Sequence, residues 1–340
     1  ENWLGARRAL MRKPVDRIGY GGYLSLAYKF PAFVDYIEQV TDEFREIYDN
    51  IAGSKPYCGL KVAVLNSWGQ LRSWQAFMVA HALWYKQTYS YFGILEALSG
   101  ASVDVVFLSF DDIKKTGIPE DVDVIINAGA ANTAFSGGEE WRSLELITAL
   151  RRFVWQGGGF VGVGEPTATL NGGRFFQLAD VLGVDLELGF SLSTDKYFTQ
   201  AKPQHFLTED RKEPFDFGES VKNVYALSPN TEIVEFSDGE VHISAHDYGN
   251  GRGVYIAGLP YSYENTRLFL RSLYYSARKE KELKRWYADN PLCEVHAYPE
   301  TGKYAILNNS EKPQCTEVYD GFSNVSSIRL EGGQILWKKM

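Results

Sequence analysis

The sequence predicts an α/β protein in three parts: a doubly wound domain over residues 57–288, the tail of a larger sheet or barrel at 1–56 before it, and a small all-β domain at 289–340 after it. Three observations carry this. Apolar strand-like runs alternate with helical stretches between Lys61 and Val163, the rhythm of a mostly parallel sheet with crossover helices. A helical stripe at Phe33, Val34, Ile37, Val40, Phe44, Ile47, Tyr48 and Ile51 follows a glycine-loosened apolar segment. Past Asn290 and Pro291 only strand and turn patterns remain.

Taken in order, Asp16 to Tyr23 reads as a short buried strand leading into that helix, whose other face carries Asp35, Glu38, Asp42, Glu43 and Glu46. One βα unit cannot bury its own strand and stripe, so it needs a larger body to pack against. Ser54-Lys55-Pro56 marks the boundary. Lys61 to Leu65, Asp104 to Leu108, Val122 to Ile126 and Phe160 to Val163 are the buried strands of the middle domain. Helices are expected at 91–99, stopped by Gly100, and around Leu144 to Trp155, stopped by the glycines at 157–159. Runs at 221–227, 232–236, 240–245 and 253–257, joined by Ser237-Asp-Gly239 and Gly249-Asn-Gly251, favour antiparallel pairing. A last helix is expected over 264–286, with Lys279, Lys281, Lys284 and Arg285 suiting its C-terminal dipole. Five strands then follow, at 293–298, 303–307, 315–319, 326–330 and 335–337.

Composition bounds the function. The 340 residues carry 35 Lys and Arg against 43 Asp and Glu, a net charge of -8, which argues against a non-specific nucleic-acid binder. Cys58, Cys293 and Cys315 lack the close spacing of metal or redox pairs, so a reducing, cytoplasmic setting is expected. No run approaches the roughly 20 apolar residues of a membrane span. With Glu1 first and no initiator Met, the sequence reads as part of a longer protein.

The run Gly157 to Gly164 invites a dinucleotide reading, but such a fingerprint follows the first strand and opens a helix. These glycines close a helix and enter a strand. The turn Gly162-Val163-Gly164-Glu165-Pro166 is placed like the nucleophile turn of class I glutamine amidotransferases, which the middle domain resembles. It holds no Cys or Ser, so acyl transfer has no attacking atom and an amidotransferase-like enzyme is disfavoured. Gly164 and Glu165 therefore mark an elbow without a nucleophile, Glu165 being read as a helix-start carboxylate. His242 and His246 lie four apart near Asp247, roughly 13 Å along a strand, too far to share one ion. His81, His205 and His296 have no partner visible in the sequence. Arg72 between Trp68 and Trp74 sits in the loop after the first strand of the middle domain, where open α/β sheets place ligand crevices, although exposed indoles equally anchor interfaces.

The runs Asp16 to Tyr23, Lys61 to Gly69 with Leu71 to Trp74, Ala82 to Gln87, and Glu96 to Gly100 continuing to Phe110-Asp-Asp112 resemble the galacto-N-biose/lacto-N-biose phosphorylases of glycoside hydrolase family 112. The resemblance implies an N-terminal (β/α)8 barrel, of which 1–56 would be the C-terminal part, then an amidotransferase-like domain and a small β domain. It implies phosphate and a galactosyl-N-acetylhexosamine disaccharide as partners, bound through the barrel, a homo-oligomer, and a reaction that requires no metal or organic cofactor. Arg17, Tyr23, Trp68, Arg72 and Trp74 are the substrate or interface candidates. Because the family's acid is expected upstream, no catalytic residue is assigned. The chain is expected to be a non-catalytic C-terminal portion that supports the barrel. The rival expectation is a stand-alone oligomerisation or carbohydrate-binding module.

Overall fold

The computed structural model describes residues 2–13, 15, 17–19, 21–67, 88–188, 201–202 and 204–340. The chain divides into two compact units. One holds Glu1–Gly59, Ser99–Ser102 and Lys284–Met340, and the other holds Leu60–Leu98 and Val103–Leu283.

The second unit is built on a seven-stranded sheet. Its strands are β1 (Leu60–Asn66), β2 (Val103–Ser109), β3 (Val124–Gly129), β4 (Gly159–Gly164), β9 (Glu232–Ser237), β10 (Glu240–Tyr248) and β11 (Gly251–Ile256). Their order is β2-β1-β3-β4-β11-β10-β9. The first five in that order run parallel, whereas β10 and β9 close the edge as antiparallel hairpins. The central strands are apolar on both faces because helices cover both, as parallel sheets require. Ala63, Leu65, Ile125 and Phe160 pack with Leu146, Ile147, Leu150 and Val154 of the helix Leu144–Trp155. That helix starts at Ser143, whose hydroxyl accepts the Leu146 amide at 3.3 Å. On the other face of β4 the helix Tyr263–Ser276 approaches so closely that a Cβ on Gly159 would lie 2.8 Å from the Ser276 carbonyl carbon. Gly162 is fixed by contact with Pro166 and Leu182. Within the glycine run, Gly159 and Gly162 therefore serve close packing.

Three expectations for this unit change. The turn after β4 enters no helix: Gly164 (φ +77°) and Thr167 (φ +57°) swing the chain into a hairpin of β5 (Ala168–Asn171) and β6 (Arg174–Phe176). A strand-to-helix elbow is thus absent, and with it the local feature on which the amidotransferase-like reading stood. The run 221–227 contributes only β8 (Val224–Ala226), which pairs with β7 (Val184–Leu186) away from the large sheet. The helix expected to reach 286 ends at Ser276, because Arg278 turns left-handed (φ +56°) and Lys279 reaches back to Asp123 at 2.7 Å.

In the first unit the helices α1 (Asn2–Arg12), α2 (Leu24–Ala27) and α3 (Pro31–Ile51) occupy the N-terminal segment. The strand expected at 16–23 is not formed: among the described residues of 1–59 there is no strand, and those of the glycine-rich stretch are exposed apart from half-buried Val15. An extended segment needs a neighbour to satisfy its ladder, and none pairs with the described residues of this one. The C-terminal strands form as read: β13 (Cys293–Tyr298), β14 (Lys303–Asn308) and β17 (Ile335–Lys339) in one sheet, and β12 (Tyr287–Ala288), β15 (Gln314–Tyr319) and β16 (Val325–Leu330) in another. They belong to the same compact unit as residues 1–59. Leu10, Met11, Ile47 and Ile51 share a core with Tyr298, Ala305 and Leu307.

Candidate functional site

An open parallel sheet places its crevice outside the carboxyl ends of the strands, where the strand order reverses. Here the chain leaves β1 outward to β2 and returns to β3 on the opposite side, so the reversal lies between β1 and β3. The loops at this edge are tied down from within. Asn127, fully buried near the end of β3, donates from Nδ2 to Ser136 O at 3.0 Å and accepts the Thr167 amide on Oδ1 at 2.7 Å. Glu165 donates its amide to Gly129 O at 2.9 Å, and its Oε2 accepts the Ala131 amide at 2.7 Å. The expected helix-start role of Glu165 is replaced by this bridge between the β3 and β4 loops. On the other side of the reversal, Asn66 Oδ1 and Ser67 Oγ are buried and find no hydrogen-bond partner among the described residues.

The remaining candidates do not converge on this edge. Arg17 lines a cleft of about 1080 Å³ in the first unit, between α1 and α3, walled by Leu10, Ile18, Phe33, Val40 and Phe44. Tyr23 is 80% exposed, and its carbonyl starts the turn into α2. Trp68, Arg72 and Trp74 lie outside the described residues, as does His81.

A buried polar network in the first unit escaped sequence reasoning. Arg8 places Nη2 at 2.6 Å and Nε at 2.8 Å from Glu294 Oε1. His296 Nε2 stands 3.1 Å from Glu294 Oε2, and Arg12 donates to Cys58 Sγ at 3.0 Å. Burial works to raise the Glu294 pKa, but Arg8 and then His296 outweigh it and hold the carboxyl at about 2. Burial pushes the His296 pKa down, against Glu294. The readable signal was the i, i+2 placement of Glu294 and His296 on one face of a strand; the Arg8 partner, so remote in sequence, left none.

The other histidines are engaged separately. His242 stacks on Phe217 with ring centres 4.5 Å apart, and His246 pairs across the ladder with Gly253. His205 accepts the Leu207 amide at 3.1 Å and faces Glu232 at 3.2 Å. Among the described residues no group of three or more His, Cys, Asp or Glu is placed to hold a metal, and no helix is long and apolar enough to cross a membrane.

Comparison with known proteins supplies what the geometry does not. Residues 61–281 match the family model of the lacto-N-biose phosphorylase central domain, 1–59 that of its N-terminal TIM barrel domain and 286–338 that of its C-terminal domain. A 1,3-beta-galactosyl-N-acetylhexosamine phosphorylase of Lachnoclostridium phytofermentans is 52% identical over 337 residues, 99% of this chain and 46% of that protein. One from Bifidobacterium longum subsp. longum is 46% identical over 371 residues, 100% of this chain and 49% of that protein. The chain spans about half the length of these relatives. Among solved structures, a catalytic mutant of Gan42B, a GH42 beta-galactosidase from G. stearothermophilus, superposes with a TM-score of 0.51 at 14% identity, over 89% of this chain and 44% of that one.

Two expectations are corrected by these findings. The class I glutamine-amidotransferase-like description gives way to a barrel-domain segment, a central domain with a largely parallel sheet and a C-terminal domain, in a fold shared with GH42 enzymes. The non-catalytic support role, and with it the stand-alone module, is overturned because the likeness to phosphorylases runs along essentially the whole chain and takes in the barrel model.

Proposed function

Because the chain belongs to the lacto-N-biose phosphorylase family, we propose that the protein carrying it is an inverting phosphorylase of β-1,3-galactosyl-N-acetylhexosamines. The observation behind this is 46% to 52% identity to such phosphorylases along nearly the entire chain. In the reaction a phosphate oxygen forms a bond to the galactosyl anomeric carbon as the bond to the glycosidic oxygen breaks. A carboxylic acid delivers its proton to that departing oxygen. The products are α-D-galactose 1-phosphate and the free N-acetylhexosamine. Phosphate fills the place of the activated water of an inverting hydrolase, and cationic and hydrogen-bonding groups hold it against the anomeric carbon.

Arg17, Tyr23, Trp68, Arg72 and Trp74 are our substrate or interface residues. The position of Arg17 in a cleft of the segment matched by the barrel model supports its inclusion. A cytoplasmic homodimer is the form we expect, and the free thiols of Cys58, Cys293 and Cys315 support the reducing compartment. Phosphorus NMR of the purified protein with lacto-N-biose and inorganic phosphate tests the function. Appearance of α-galactose 1-phosphate is expected. Free galactose produced without phosphate, or no turnover of any β-1,3-galactosyl-N-acetylhexosamine, overturns the reading.

A further inference from the structure

Asparagine followed by glycine is the dipeptide most prone to rearrange in water, because no side chain on the glycine shields its amide nitrogen from the asparagine Cγ. The chain carries this dipeptide twice, at Asn171-Gly172 and at Asn250-Gly251, and both lie at hairpin turns. Neither asparagine side chain makes a hydrogen bond among the described residues, so what separates the two is the backbone.

Asn250-Gly251 is locked. Asn250 donates its amide to Trp155 O at 2.9 Å, and its carbonyl accepts Arg278 Nε at 2.7 Å. Arg278 is itself held by Asp247 at 2.8 Å. Gly251 closes the β10-β11 ladder opposite Tyr248, and it is packed so tightly that a Cβ would lie 2.2 Å from the carbonyl oxygens of Val154 and Gly158. Cyclisation requires rotation about the Asn250 Cα–C bond, which would break these contacts together.

Asn171-Gly172 is open. Asn171 pairs with Arg174, so Gly172 (φ +58°) and Gly173 (φ +76°) are the central residues of a tight left-handed turn between β5 and β6. The Gly172 nitrogen meets no backbone acceptor among the described residues. Both glycines are exposed, with nothing within 4 Å of an added Cβ. Behind the turn the ladder is interrupted by a register shift between Ala168 and Asn171. Gln177 Nε2 holds Thr169 O at 2.7 Å and Arg174 O at 3.0 Å, but its contact with Asn171 O is the longest, at 3.5 Å.

We propose that Asn171 is a site of spontaneous modification, at which the folded protein converts its own side-chain amide to a carboxylate while the fold protects Asn250. The Gly172 nitrogen bonds to Asn171 Cγ as it gives up its proton. The Cγ–Nδ2 bond breaks, and Nδ2 leaves with that proton as ammonia. The five-membered imide then takes up one water. Opening at Cγ yields aspartate, whose charge faces Arg174 across the hairpin, a favourable pairing. Opening at the main-chain carbonyl yields isoaspartate, which adds a methylene to the backbone and breaks the register with Arg174. The inference is independent of phosphorolysis.

The test is incubation of the folded protein in warm, mildly alkaline buffer. Peptide mass spectrometry reads the replacement of the amide by a carboxylate at both positions, and electron-transfer fragmentation separates isoaspartate from aspartate. Asn171 is expected to convert roughly tenfold or more faster than Asn250, because Asn250 reacts only through openings that cost free energy. In urea-unfolded protein the two rates should come within about threefold of each other. Ammonia release by the folded protein should fall to background in Asn171→Gln, whose longer side chain closes its ring far more slowly. Equal rates at the two positions in the folded protein overturn the proposal, as does an Asn171 that stays intact in the folded protein while the unfolded chain converts it. A preference for Asn171 that persists unchanged in urea assigns the difference to local sequence and overturns it equally.

Discussion

Arg8 and Glu294, 286 positions apart in the chain, meet with two guanidinium nitrogens on one carboxylate oxygen, at 2.6 and 2.8 Å. The side chains are 4% and 11% exposed, so this pair ties α1 to β13 inside the first unit rather than decorating its surface. Removing one partner of such a pair strands the other charge in a poorly solvated place. Glu294→Gln should therefore cost about 3 kcal/mol of unfolding free energy. The double variant Arg8→Met with Glu294→Leu should cost less than the sum of its single changes. Urea unfolding of the four proteins decides the matter, and a loss below about 1 kcal/mol for Glu294→Gln would sink the claim.

The same cluster sets an acid limit. Glu294 sits at about 2 against an ordinary 4.5, so its stabilisation is complete above pH 4.5 and is lost as pH falls toward 2. His296 works in the same direction higher up. Its pKa is lowered below the usual 6.5 by burial, against Glu294 and in company with Arg12 and Arg8, so acid protonates the unfolded chain first. Stability should decline as pH drops below 6.5 and fall further below 4.5. His296→Gln should flatten the first part and weaken the second, because His296 helps Arg8 hold the Glu294 carboxyl down. Urea midpoints between pH 8 and 3 read both, and a wild-type profile flat from pH 7 to 5 would contradict the His296 assignment.

Asn127 offers a test of how the sheet edge is held. Its side chain is the partner of both Ser136 O and the Thr167 amide, and all of these atoms are withdrawn from water. Asn127→Ala leaves the buried Thr167 amide unmet, while Ser136 O keeps the Trp141 indole N–H at 2.6 Å, which should cost about 1–3 kcal/mol. Faster hydrogen exchange at the Thr167 amide than at Val161, in mid-strand, is the expected signature. Equal protection at both would show that the bridge does not anchor these loops.

How much of this was legible follows from the physics of each element. The parallel strands and the helix Leu144–Trp155 were readable because burial on two faces, or on one helical stripe, writes itself as local apolar pattern. The same holds for the C-terminal strands, bounded by their turn residues. Helix α1 escaped because its buried side includes Arg7 and Arg8, which interrupt the apolar period that marks a helix. Asp16 to Tyr23 misled because an apolar, glycine-bearing segment looks alike whether or not a neighbouring strand pairs with it. The hairpin after β4 depended on left-handed backbone at Gly164 and Thr167, of which only the glycine is suggestive in sequence. At the candidate edge the carboxylate of Glu165 was visible, whereas its bridge to Ala131 needed two neighbouring parallel strands in register.

The glycines themselves separate packing from flexibility. A Cβ at Gly159 would meet Ser276 Oγ at 2.7 Å and the Ser276 carbonyl carbon at 2.8 Å, and the latter is backbone that cannot rotate aside. Gly159→Ala must push the end of the helix Tyr263–Ser276 off β4, at a cost of about 1–3 kcal/mol. Gly21 has nothing within 4 Å of its added Cβ and its backbone lies outside the left-handed region, so Gly21→Ala should be neutral or slightly stabilising. Thermal unfolding of the two variants should differ in sign or by several degrees. If Gly159→Ala melted with the wild type, the close approach of that helix to the sheet would be wrong. With it would fall the packing explanation for the glycine run that first suggested a nucleotide site.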